Sequence, residues 1–210
     1  MFTSAHTHLL ELIKPLCAPL HEEIAGAAED VAAVRELLDI QGRDYGWAGT
    51  HLIRAVMQRR LATRDLGGWT VTGRVANDGP VWLCRGYTTL RVLHDGPFDP
   101  VPGKNVIRRQ YFQNTPLFTV PEQLVIPTAE ESKYLAVWRV RDPVTFEIGI
   151  DVLRPIGIWN YGAAARVDLL FSLPSTDERL DELAFTPSDD EILFELPSEG
   201  EASDEPGMRG

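Results

Sequence analysis

The chain is poor in cysteine and lysine: its 210 residues hold two cysteines, Cys17 and Cys84, and three lysines, Lys14, Lys104 and Lys133. The two cysteines fall in different predicted elements and in no CxxC or metal-ligand spacing. That argues against a disulfide-stapled secreted domain and against a cysteine-based zinc site. Ordinary thiols in a reducing cytoplasm are expected. No run approaches eighteen consecutive apolar residues, and Met1 to Leu10 has no charged region followed by an apolar one. Neither a membrane span nor export is expected. The phosphate loops GxGxxG and GxxxxGK[ST] and the nucleophile elbow GxSxG are also missing. The sequence therefore points to no nucleotide-dependent enzyme, no hydrolase of the elbow type and no cofactor.

What is present suits a folded body of ordinary size. Hydrophobic residues make up 44% of the chain and aromatics 9%, enough to bury a core that offsets the entropy of ordering the backbone. The net charge of −11 is unevenly placed. Residues 176–210 carry twelve acidic and two basic residues, whereas residues 1–175 carry nineteen acidic and eighteen basic ones. The expectation is a nearly neutral domain over 1–175, followed by an acidic disordered tail over 176–210.

Within the domain, residues 1–66 read as helical and 67–175 as β-rich. Leu9, Leu10, Leu12 and Ile13 recur at helical spacing, and Pro15 closes that segment. A second helix is predicted at about 20–40, with Ile24, Ala27, Val31, Val34 and Leu38 on one stripe and Gly42 as its terminator. A third begins near Trp47 or Thr50, carries Ile53, Val56, Met57 and Leu61 on one face, and stops at Gly67-Gly68. Strands follow at 69–75, 81–84 and 87–94, with Asn77-Asp78-Gly79 as a hairpin turn, and then at 134–141, 145–153 and 166–173. The fifth strand alternates cleanly. Phe146, Ile148, Ile150 and Val152 share one face against Glu147, Gly149 and Asp151 on the other, which predicts burial of one side only. The fold class is thus α+β, about three helices before a mainly antiparallel sheet of five to six strands.

The candidate sites follow from these elements. Three helices and then a hairpin is the order of a winged helix-turn-helix, in which Arg54, Arg59, Arg60 and Arg64 on the third helix and Arg74 and Arg85 on the hairpin could meet phosphates. The near-neutral domain and the spread of those arginines around the helix favour a solvated face instead. Asp95 or Asp99 with Glu131-Ser132-Lys133 loosely fits a metal-dependent nuclease, and His6, His8, His21 and His51 could supply imidazoles. Neither constellation has a metal-site spacing, so no metal is expected. Cys17 and His21 stand four apart, with Pro19 expected to interrupt the helix between them.

In the acidic segment, Leu180, Leu183 and Phe185 form one apolar island and Ile192, Leu193, Phe194 and Leu196 a second. Apolar islands among carboxylates suit short docking motifs. Trp159 and Tyr161, in a glycine-containing loop, are further candidate contacts. The sequence therefore favours a non-enzymatic regulatory or adaptor protein that binds a protein partner, with nucleic-acid binding as the alternative.

Overall fold

The computed structural model describes residues 4–73, 81–94, 132–157 and 166–181. Helices come first: α1 (Ser4–Ile13), a 3-10 turn (Lys14–Leu16), α2 (Cys17–Leu37) and α3 (Gly46–Leu61). Strands β1 (Thr70–Thr72), β2 (Val81–Arg85), β3 (Thr88–His94), β4 (Ser132–Asp142), β5 (Glu147–Ile156) and β6 (Arg166–Ser172) form one sheet in sequence order. A short helix, α4 (Asp177–Asp181), follows. Every neighbouring pair is antiparallel except β3 and β4, which run parallel. No helix among the described residues is long and apolar enough to cross a membrane.

The main core lies between the helices and one face of the sheet. Leu16, Leu20, Ile24, Met57 and Leu61 from the helical side meet Leu83, Leu90, Trp138, Ile150 and Val152 from alternate strand positions. Each such side chain taken out of water contributes about 1.5–3 kcal/mol, and this supplies the drive that holds helix to sheet. The expectation that β5 buries one side only does not hold at the sheet centre. Leu135, Val137 and Leu153 form a second buried cluster, with Trp82 and Leu93 packed against it. The unbroken apolar run Tyr134-Leu135-Ala136-Val137-Trp138 in β4 is the sequence signature of a strand covered on both faces.

Polar groups at the helix ends find partners in the sheet region. The Leu12 carbonyl, at the end of α1, accepts bonds from Trp69 Nε1 at 2.7 Å and from an Arg85 guanidinium N–H at 3.3 Å. His21 Nε2 donates to the Leu173 carbonyl at 2.9 Å and so ties α2 to the exit of β6. A register shift between Arg154 and Pro155 interrupts the β5–β6 ladder, where proline has no amide to donate. Beside it, Arg154 donates to Asp168 at 2.6 Å, with both side chains over nine-tenths buried.

Three local readings are corrected. Pro19 does not interrupt a helix, because α2 begins at Cys17 and Pro19 falls in its first turn, where an amide has no intrahelical acceptor. Nor is Gly42 the terminator of α2. The helix ends at Asp39 in the left-handed region (φ 55°), with Asp39 N–H bonded to the Glu36 carbonyl and Ile40 N–H to that of Arg35. This is a Schellman closure with aspartate where glycine is usual. Finally, Leu180, assigned above to the tail, is 1% exposed and belongs to the main core, so the ordered body extends through α4.

Candidate functional site

Helix α2 carries more apolar surface than the sheet can cover. Its stripe is buried at Leu20, Ile24, Ala27 and Val31 and then emerges, with Val34 43%, Leu37 84% and Leu38 58% exposed. From Val31 to Leu38 is about 10 Å of helix at 1.5 Å per residue, so two turns run on beyond the core. Helix α3 returns antiparallel and brings Trp47, 67% exposed, with Tyr45 and Leu52 to the same end. Six of the ten large hydrophobics exposed among the described residues thus collect in the stretch 34–52. Scattered surface leucines need no explanation, whereas six exposed large hydrophobics within one stretch mark this end of the helical hairpin as a candidate contact surface.

This end is built firmly enough to present those side chains. Arg35 folds back over it, donating from Nε to the Ile40 carbonyl at 3.2 Å and from Nη2 to that of Gln41 at 3.1 Å. Its guanidinium passes over Gly49 of α3, where a Cβ would lie 3.1 Å from Nη1. Trp47 meets the His51 ring edge to face, with centroids 6.0 Å apart. Glu36, Asp39 and Asp44 stand exposed in the same stretch, beside the half-buried Arg35. The surface is apolar and carries carboxylates at its border.

No family model, characterised protein or solved structure matches the chain. The site therefore rests on its own geometry.

The arginines that suggested phosphate contacts are placed differently from one another. Arg60 bonds Asp30 at 2.7 Å and Glu23 at 3.4 Å, both on α2, and the bond to Asp30 holds its guanidinium above the ordinary arginine pKa. Arg64 pairs with Glu23 at 2.9 Å and with Glu22. Arg85 caps α1 through Leu12. Arg59 is exposed and Arg54 half-buried on α3, whereas Arg74 lies outside the described residues. The structure thus sets Arg60 and Arg64 against the carboxylates of α2 and Arg85 against the end of α1.

Other candidates resolve singly. Lys133 sits half-buried on β4, and Asp95, Asp99 and Glu131 lie outside the described residues, as do Trp159, Tyr161, Ile192, Leu193, Phe194 and Leu196. Cys17 is 1% exposed in the main core. No group of three metal-ligating side chains converges among the described residues. Trp69, Trp138 and Tyr134 are core residues, and burial raises the Tyr134 phenol above its ordinary pKa. Trp82 is half-buried under the Arg91 guanidinium, 5.6 Å from its ring centroid. The surface residues missed from sequence were Leu37, Tyr45, Trp47 and Leu52. No local pattern in the sequence marks them as exposed.

Proposed function

We propose that this protein is a non-enzymatic adaptor or regulatory module that engages a partner protein through the free end of its α2–α3 hairpin. The observation that carries the reading is the emergence of the α2 stripe at Val34, Leu37 and Leu38 beside an exposed Trp47. Large aromatic and aliphatic groups held on a pinned scaffold act as anchors that enter a partner's pocket and lose little conformational freedom in doing so. The carboxylates of Glu36, Asp39 and Asp44 suit a partner whose apolar contact is bordered by lysine or arginine. The ion pairs between α2 and α3 count against the nucleic-acid alternative, because they already neutralise Arg60 and Arg64.

A photo-crosslinking residue at Leu37 tests this in the full chain, with Val144, an exposed apolar residue of the β4–β5 turn, as the control position. The expected result is a discrete adduct with another protein from Leu37, none from Val144, and loss of the adduct in Trp47→Ser. The same Trp47→Ser chain is expected to melt within about 0.5 kcal/mol of the parent, since the ring is exposed. No adduct, or an adduct only with a second copy of the chain, would overturn the proposal.

A further inference from the structure

A cleft of about 690 Å³ opens toward the opposite end of α2, between its second and third turns, the beginning of β5 and the segment from Ser172 to Arg179. The volume lies within the range of small-molecule sites, roughly 300–1,000 Å³. Ala25, Ile148, Leu173 and Pro174 give it an apolar lining, and Arg141 and Arg179 bring two guanidinium groups to it.

Arg141 is placed by the backbone beneath it. It sits at a break in the β4–β5 register and lies against Gly149, where a Cβ would be 2.3 Å from its Nε. Only glycine at that position lets the side chain lie so close. Its partner Glu147 stands 3.9 Å away and is 63% exposed, an ion pair too long and too solvated to hold the guanidinium against a better acceptor. Glu22, the other carboxylate of the cleft, is paired with Arg64. Arg179 enters no ion pair among the described residues. His21 forms one wall, with its Nε2 proton committed to the Leu173 carbonyl.

From this arrangement we infer that the cleft binds an organic anion, a carboxylate or phosphate monoester on an apolar body. Arg141 and Arg179 clamp the oxyanion, while Ile148, Leu173 and Pro174 receive the body. Guanidinium groups suit both head groups because their fork matches two acceptor oxygens at once.

Calorimetric titration of the full chain with phenyl phosphate, benzoate and inorganic phosphate tests the inference. At least one aryl probe is expected to bind saturably and more tightly than inorganic phosphate, and the tighter aryl probe identifies the preferred head group. Arg141→Gln is expected to weaken that probe about tenfold, as is typical for loss of a charged hydrogen bond. Gly149→Ala is expected to weaken it too, although it removes no charge, because it displaces Arg141. Arg59→Gln, on α3, is the control and leaves affinity unchanged. The site is overturned if no aryl probe saturates, or if Arg141→Gln binds as the parent does. Equal affinity for inorganic phosphate and the aryl probes overturns the organic-anion assignment.

Discussion

Arg60 of α3 lies over Gly26 of α2 so closely that a Cβ there would be 2.6 Å from its Nη1. The contact lets one guanidinium reach both Glu23 and Asp30 along the surface of α2. Arg64 meets Glu23 from the next turn, so two cations share a carboxylate on a residue only 8% exposed.

The sharing makes the two arginines non-additive. Arg60→Ala is expected to cost about 0.5–1 kcal/mol, because its own side chain is over a third exposed and Arg64 still neutralises Glu23. Removing both leaves Glu23 buried without a described cation, and the double variant is expected to lose about 3 kcal/mol, more than the sum of the singles. Urea denaturation of the four chains of the cycle measures the coupling. Strict additivity would show that Glu23 does not join the two helices.

The pair formed by Arg154 and Asp168 is a buried counterpart. Asp168→Ala leaves a guanidinium in a residue 5% exposed and is expected to cost about 3–5 kcal/mol. Arg154→Met combined with Asp168→Leu removes both charges and is expected to recover much of that loss. A single-variant cost below about 1 kcal/mol in chemical denaturation would mean that the pair behaves as a solvated one.

Leu180 decides where the ordered body ends. A five-residue helix has almost no stability of its own, so α4 is held by what this one leucine buries. Leu180→Ala is expected to cost about 2 kcal/mol or more, because a fully buried leucine is replaced by a cavity. A change within about 0.5 kcal/mol in the same denaturation assay would return residues 177–181 to the tail.

The architecture was legible wherever one period ran uninterrupted. Ile148, Ile150 and Val152 alternate with polar or small residues, and β5 forms there with those three on the helix side. Leu180 was illegible because composition averages over a window, and a single buried leucine among Asp177, Glu178 and Asp181 is outvoted by its neighbours. The parallel pairing of β3 with β4 was illegible for another reason. Strand patterns report which side chains face the core and carry no information on chain direction. The hairpin surface was half legible: Val34 and Leu38 were read correctly as one stripe with Ile24, Ala27 and Val31. Which part of a stripe is covered depends on how helix and sheet cross, and no local pattern reports that.

His21 gives the fold a pH dependence whose sign follows from its surroundings. Burial is the largest influence and lowers its pKa from the ordinary 6.5, while the carbonyls of Leu173 and Ile148 pull the other way and Arg141 adds to the lowering. Above pH 6.5 the imidazole is neutral in both folded and unfolded chains, and it contributes no pH dependence. As pH falls through 6.5 the unfolded chain takes up the proton first, so stability declines until the folded form is protonated as well. The carboxylate of Asp142, held below its ordinary pKa by the Val144 amide at 2.8 Å, titrates in a separate and more acidic window. His21→Gln keeps an N–H able to reach the Leu173 carbonyl but cannot titrate. Urea denaturation at pH 7.5 and 5.5 is therefore expected to show a loss of stability in the parent at the lower pH and a smaller loss in the variant. Equal losses in the two chains would place the acid sensitivity elsewhere, and a gain in the parent at pH 5.5 would reverse the sign argued from burial.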